Sequence, residues 1–410
     1  MKVWRAGAAL AIAVGGALVG LVTWVIPLAG VRAWVTSLPL AAHSVSFPHV
    51  WVVGGILLVL ASAVAALVAE FGGRKGARAH DGGPTELAGR AEQGRRRRDK
   101  AARKRQESAK TRRIRARLAV VAALFWAVAA VSPLAGLAPM EARAVASGHV
   151  TEGWRTLNVL EWNVGSRVGP GEIADLLYER VVDVAVLPEQ VAGRLDLASY
   201  TTFESASTGS IAPVTVAVRS GLGTYRAVEH AGQEATFGSL LLEPAPGTGG
   251  ERWLPRILAV HAAPPLPGLL TEWAEDQERI LALAGRYAPT QADPRPLLVV
   301  GDFNAARWHG AQAHLDGFAD VLEWVDPMRR GTWPARVPGL TSLEGIWRTP
   351  IDHILVPASA REHTAASGAG QEAQGVEPGA VRVGHVEVMR RQSSDHLAVY
   401  AMLQIRELGR

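Results

Sequence analysis

The 410-residue sequence predicts an α/β domain preceded by three membrane-spanning helices. Three observations carry that expectation. From about Trp154 onward, short apolar runs alternate with amphipathic stretches, the pattern of an α/β domain. Before it lie three long apolar stretches that contain no charged residue. Charge is also divided: between Arg74 and Arg117, 17 Lys and Arg face five acids, whereas from Thr151 onward 22 Arg and no Lys face 31 acids, a net charge of −9. The overall +5 therefore belongs to a basic segment joined to an acidic domain. With no cysteine, disulfides, zinc–thiolate sites and thiol nucleophiles are excluded.

The apolar stretches run from about 6 to 26, 50 to 69 and 118 to 140. Each matches the roughly 20 residues of helix that cross a bilayer. Pro133 falls in the third, and transmembrane helices tolerate proline. Lys2 and Arg5 precede the first stretch, as in a signal peptide, but its length and the two stretches that follow favour an uncleaved anchor. Lys2 and Arg5, a lone Arg32 in the next loop, and the basic loop 71–117 then set the orientation. Positive loops stay cytoplasmic, so the expected domain organisation is a membrane domain over 1–145 and an extracytoplasmic domain over 150–410. The run "GRRRRDKAARKRQESAKTRRIRAR" fits anionic lipid head groups as well as nucleic acid, and it lies across the bilayer from the acidic domain.

In the second part, strands are predicted at 156–163, 183–188, 213–220, 237–243, 256–262, 296–302, 351–356 and 397–403. Ile173, Leu176, Leu177 and Val181 recur at helical spacing between the first two. A second helix is predicted from Leu269 to Tyr287, with Trp273, Gln277, Ile280 and Ala284 on successive turns. The Gly, Ala and Gln-rich stretch from Ala365 to Gly375 reads as a loop.

These strands share polar ends. The first ends in Asn163 and the second in Pro188 and Glu189, while His261 stands at an exit. "PLLVVGDFNA" ends an apolar run in Asp302 and Asn304, residues poorly suited to strands. Asp352 and His353 open "IDHILV", and Asp395 and His396 precede the last strand. Any one of these reads equally as a cap, a turn or a solvated end. Six together, all oxygen, amide or imidazole, suit a hard cation such as Mg2+ or Mn2+, with histidines for proton transfer or charge stabilisation. The chemistry implied is metal-assisted phosphoester hydrolysis.

"WNV", "LPEQ", "VHAAPP", "GDFNA", "IDHILV" and "SSDH", in this order, resemble the endonuclease/exonuclease/phosphatase superfamily over about residues 155–405. The resemblance implies a four-layer α/β sandwich, two central mixed sheets flanked by helices. It also implies Glu189 as principal metal ligand beside Asn163, with Asp395 completing the metal environment. Asp302 would orient or deprotonate the attacking water, and Asn304 would hold a phosphate oxygen. His396, oriented by Asp352, would contact the scissile phosphate, and His261 would assist the leaving group. Two departures stand out: Gly165 replaces an acid found two positions beyond the first Asn in some nucleases, and Pro188 stands where Gln is more usual.

A polynucleotide substrate calls for clustered Lys and Arg, which a lysine-free domain of charge −9 lacks. Arg307, Arg329, Arg330, Arg336 and Arg348 fall near the expected catalytic loops, either as surface charges or as clamps on a phosphate head group. Trp308, Trp324, Trp333 and Trp347 read as core or rim, or as groove or lipid-interface residues. The architecture also resembles actinobacterial membrane proteins of the superfamily linked to teicoplanin resistance. The expectation is a membrane-anchored Mg2+-dependent phosphoesterase whose substrate is a phosphate ester of a membrane or cell-envelope lipid and whose partners are membrane lipids, with anionic head groups at the basic loop. An extracytoplasmic nuclease cleaving DNA or RNA is the alternative, and a catalytically dead binding domain the third reading.

Overall fold

The computed structural model describes residues 152–408, apart from 192–194, 207–212, 230–234, 337–347, 369–376, 378 and 392. The three apolar stretches, the basic loop and Trp347 lie outside the described residues. Among the described residues no helix is long and apolar enough to cross a membrane.

Among the described residues, twelve strands and three α-helices follow one another as β1 (Trp154–Glu161), α1 (Pro170–Glu179), β2 (Val184–Leu187), β3 (Tyr200–Glu204), β4 (Thr215–Arg219), β5 (Tyr225–Val228), β6 (Ser239–Pro244), β7 (Arg256–His261), α2 (Leu270–Arg286), β8 (Leu297–Asp302), β9 (Phe318–Asp320), β10 (Asp352–Pro357), α3 (Ala360–Gly368), β11 (Val381–Met389) and β12 (Ala398–Arg406). They form two six-stranded sheets, ordered β11-β12-β1-β2-β4-β3 and β5-β6-β7-β8-β10-β9. Both are mixed: β1 runs parallel to β2 and β7 parallel to β8, and the other pairs are antiparallel.

Strand alternation sorts the core into three layers of contact. Leu157 and Val159 of β1 and Val184 and Val186 of β2 meet Leu298 and Val300 of β8 and Ile354 and Val356 of β10 between the sheets. On the outer face of the first sheet, Leu160 and Ala185 pack with Ile173, Leu176 and Leu177 of α1. Fully burying each of those helical side chains contributes about 1.5–3 kcal/mol. On the outer face of the second sheet, Leu297 and Val299 pack with Trp273, Ile280 and Leu283 of α2. Helix, sheet, sheet and helix thus stack as an α/β sandwich.

Three sequence expectations need correction. Val181 is not part of the α1 face: the helix ends at Glu179, and Val181 is exposed with a left-handed φ of 50°. Of the stretch from Ala365 to Gly375 expected as loop, residues 365–368 belong to α3, and 369–375 lie outside the described residues. Strands β3, β5, β9 and β11 carry no apolar run long enough to predict them. β3 and β5 expose half or more of their residues, and β9 has only three.

Candidate active site

Residues that face the other sheet become polar at one end of the sandwich. Along β8, Leu298, Val300 and Asp302 alternate inward, and along β10 the inward series is Asp352, Ile354 and Val356. Asp352 pairs directly with Asp302 across the antiparallel strands, and His261 pairs with Asp302 across the parallel ones. On the first sheet, the β1–β2 pairing continues past the strands, with Trp162 N donating to Val186 O and Val164 N to Pro188 O. This places Asn163 beside Glu189.

Local backbone geometry fixes these exits. Gly301 has φ 146°, and a Cβ there would lie 2.0 Å from the Val260 carbonyl oxygen, so only glycine lets β8 run this close to β7. Gly165 N donates to Asn163 Oδ1 at 2.8 Å and Asn304 N to Asp302 Oδ1 at 2.7 Å, two Asx turns in which the side chain stands in for a backbone acceptor. Asn304 and Glu189 both sit in the left-handed region, at φ 47° and 59°. Asparagine tolerates that conformation. For Glu189 it is strained, a cost that functional sites often carry.

Asp302 Oδ2 is the geometric centre. It accepts from Asn163 Nδ2 at 2.9 Å and lies 4.0 Å from both His261 Nε2 and His396 Nε2. Asn163 Nδ2 also reaches Glu189 Oε1 at 3.2 Å, which is 3.8 Å from His261 Nε2. His396 Nδ1 faces both Asp352 oxygens, at 3.0 and 2.9 Å. Asn163, Glu189, His261, Asp302, Asp352 and His396 are therefore brought together from both sheets. Asn304 adjoins them, with its side-chain amide donating to Ala262 O at 2.9 Å. Asp395 is exposed, and its Oδ1 lies 3.3 Å from the place a Cβ on residue 165 would take. A carboxylate thus occupies the space next to the position where the sequence lacks an acid.

The electrostatics follow from burial. Burial alone would lower His396, but the charge and hydrogen bond of Asp352, with the charges of Asp302 and Asp395, raise it from 6.5 to about 9. Burial and then the charge of Asp352 push Asp302 up to about 7, against the opposing effects of His396, Asn163 and Asn304. His261 is held down at about 3 by burial and by His396, so its ring is neutral. Its Nδ1 meets no hydrogen-bond partner among the described residues. Asp302, Asp352 and His396 offer ligand atoms within 4.8 Å of one another. With Glu189 and Asp395 beside them, the cluster holds more negative charge than His396 balances, and its donors are oxygen and imidazole without sulfur. That set fits a hard divalent cation.

The arginines of this region behave differently from the phosphate-clamp expectation. Arg307 donates to Gln312 O, Leu315 O and Phe318 O, Arg330 to Val325 O and Glu323 O, and Arg348 to Pro334 O and Ala335 O. These three staple loops, while Arg329 and Arg336 remain exposed. Of the tryptophans, Trp324 packs against the central core, and Trp308 and Trp333 are half-buried.

Several supporting residues gave no sequence signal. Ser394 Oγ donates to Asn163 O and accepts from His396 N, joining two strand ends. Thr332 Oγ1 accepts from Ile351 N and Asp352 N. His353, by contrast, is singled out by the sequence beside Asp352 but points away from the cleft, with Nδ1 2.6 Å from Asp320 Oδ2 and Nε2 2.8 Å from Ala305 O. Asp276 of α2 accepts from Ala263 N, two residues beyond His261, and from Thr236. Glu161 is fully buried on β1.

Residues 160–396 match the model of the Endonuclease/Exonuclease/phosphatase family. Among solved structures, an AP endonuclease from Archaeoglobus fulgidus is similar at 16% identity over 60% of this chain and 98% of that one, with a TM-score of 0.42. The catalytic domain of Xenopus laevis APE2 matches at 15% identity over 62% of this chain and 94% of that one, with a TM-score of 0.41. TDP2 from Caenorhabditis elegans matches at 13% identity over 80% and 97%, with a TM-score of 0.40. No curated protein matches the sequence. With the family match spanning more than half of its length and this cluster at one end of its paired sheets, the chain belongs to the endonuclease/exonuclease/phosphatase family and is a metal-dependent hydrolase of phosphoester bonds.

Proposed function

We infer that the chain is a membrane-anchored phosphoesterase, dependent on Mg2+ or Mn2+, whose substrate is a phosphate ester of a membrane or cell-envelope lipid. The observation that carries this choice of substrate is the engagement of Arg307, Arg330 and Arg348 with loop carbonyls. A polynucleotide is held by many cationic contacts along its backbone. In a lysine-free domain of charge −9, those three stapled arginines are committed to their loops, and of the five arginines named from the sequence only Arg329 and Arg336 are exposed. A single lipid phosphate needs only the cleft itself. The apolar stretch ending near Met140 supports a tether that keeps the domain at a bilayer surface, with the N-terminus and loop 71–117 cytoplasmic and resting on anionic lipid.

In this reading Asn163, Glu189 and Asp395 hold the cation, which when bound polarises a phosphoryl oxygen and stabilises developing charge. Asp302 orients the attacking water and takes its proton at Oδ2. Asn304 faces a non-bridging phosphate oxygen. His396, kept cationic by Asp352, balances charge on the phosphoryl group, and neutral His261 attends the leaving group.

The test uses the full-length protein purified in detergent with Mg2+ or Mn2+. It hydrolyses bis-p-nitrophenyl phosphate or p-nitrophenyl phosphate, and EDTA, Asp302→Ala or His396→Ala abolishes the activity. Persistence of activity in EDTA or in either variant refutes the roles. A comparison of phospholipid and polyprenyl phosphates with plasmid DNA and RNA then decides the substrate, and preference for the nucleic acids makes the chain an extracytoplasmic nuclease. Reporter fusions after residue 145 test the orientation: a fluorescent cytoplasmic reporter contradicts it, and high phosphatase-reporter activity supports it.

A further inference from the structure

Asp352 and His396 meet at 2.9 and 3.0 Å although they come from different sheets, Asp352 from the start of β10 and His396 from the approach to β12. Ser394 ties His396 to Asn163, but both of these lie at ends of strands in the first sheet. A side-chain pair that spans two sheets keeps its spacing when the backbones beneath it are also held together. Residues 331–335 hold them. On one side this segment is pinned to the chain that leads into β10: Thr332 N and Trp333 N donate to Thr349 O at 3.0 and 3.1 Å, and Thr349 N donates to Trp333 O at 2.7 Å. The two limbs are in contact, since a Cβ on Gly331 would collide with the Cβ of Arg348. On the other side the segment grips the chain that leads into β12, with Leu397 N donating to Thr332 O at 2.8 Å and Ala335 N to Asp395 O at 2.6 Å.

We propose that Thr332 is the positioning residue that sets the spacing of Asp352 and His396. It is fully buried, and it holds the main chain on both sides of the pair. Its Oγ1 accepts from Ile351 N at 3.1 Å and from Asp352 N at 3.2 Å, and its carbonyl accepts from Leu397 N, one residue beyond His396. A hydroxyl oxygen has two lone pairs, and here both are taken. The O–H itself faces Thr349 O at 3.4 Å. Without the hydroxyl, two buried N–H groups at the head of β10 lose their acceptor, a loss that the chain relieves by moving Asp352 relative to His396. Misplacing a catalytic group by about 1 Å costs about a hundredfold in rate. Thr332 touches no reacting atom and acts only through the main chain at Asp352 and Leu397.

The proposal rests on the phosphoester hydrolysis above for its kinetic readout, and a spectroscopic one is independent of it. In the full-length protein, Thr332→Val keeps the shape of the side chain but removes the acceptor, whereas Thr332→Ser keeps the hydroxyl and loses only a methyl group. With p-nitrophenyl phosphate and Mg2+, kcat should fall about 10–100-fold in Thr332→Val with KM little changed, and should return to within about threefold of wild type in Thr332→Ser. In metal-free protein with 15N-labelled histidine, the His396 Nδ1–H resonance shifts in Thr332→Val and stays in place in Thr332→Ser. Amide exchange at Asp352 accelerates in Thr332→Val alone. Thermal denaturation shows which variants are folded. A folded Thr332→Val protein with wild-type kcat and an unshifted resonance overturns the proposal, whatever its melting temperature. So does impairment of Thr332→Ser equal to that of Thr332→Val. Where Thr332→Val does not fold, Thr332→Ser decides: wild-type kcat and resonance uphold the hydroxyl as the positioning group, and a lowered kcat with a shifted resonance overturns it. Inactivity of the wild type on every phosphoester refutes the proposed function instead, and the histidine spectrum still reads the spacing.

Discussion

Replacing Asp352 with Asn tests the charge pairing around which the cleft is arranged. His396 is raised from 6.5 to about 9 despite its burial, and Asp352 is the largest of the groups that raise it. At about 1.4 kcal/mol per pKa unit, a rise of that size favours the imidazolium by about 3 kcal/mol. Asn keeps the shape and one acceptor for Nδ1–H but takes away the charge. Because the folded value lies above the unfolded one, this contribution to stability is fully present below pH 6.5 and is lost as pH rises through about 9. In metal-free full-length Asp352→Asn, NMR titration should place His396 about two pKa units lower, and the pH-dependent loss of thermal stability over that window should flatten. With Mg2+ added, kcat near pH 8 should fall about a hundredfold, the equivalent of about 3 kcal/mol. A His396 that still titrates near 9 in the variant, or a kcat within about threefold of wild type, refutes the pairing as the source of its charge.

Three further outcomes follow from the packing. Gly301→Ala puts a Cβ 2.0 Å from the Val260 oxygen at a φ of 146°, and chemical denaturation should show a loss of at least about 2–4 kcal/mol. Ser394→Ala leaves the buried His396 N–H without its acceptor and Asn163 O without its donor; it should lose about 1–3 kcal/mol in denaturation and about tenfold in kcat. Asp276→Ala frees Ala263 N and Thr236, whose neighbour Phe237 stacks edge-on against His261 at 5.2 Å. Hydrogen exchange at Ala263 and Thr236 should accelerate together, and unchanged exchange at both speaks against Asp276 as the clamp of this strand exit.

The central strands were legible because burial on both faces demands continuous apolar runs, as in "LLVV" of β8. Edge and short strands were not. The β3 segment "YTTFE" exposes three of its five residues, and its place is set by pairing with β4 rather than by its own apolar content. Val181 shows the complementary error, since helical spacing continued in the sequence after the chain had turned out of α1.

By itself the sequence determined which chemical groups stand at the strand ends: Asn163, Glu189, His261, Asp302, Asn304, Asp352 and His396 are polar interruptions of apolar runs, and such interruptions are visible in one dimension. It also determined the division between a basic N-terminal part and an acidic domain. Only the tertiary structure decided what each group meets. Facing the two sheets together brings Asn163 to Asp302, 139 residues away, and sets Asp302 Oδ2 equally far from two imidazoles. It makes Arg307, Arg330 and Arg348, which the sequence leaves open between surface charges and phosphate clamps, into loop staples. It also makes Glu161, which in the sequence reads as an ordinary polar residue in a strand, a fully buried carboxyl group. The physical reason is that polarity is a property of a residue, whereas burial, proton affinity and hydrogen-bond partnership depend on the opposing sheet.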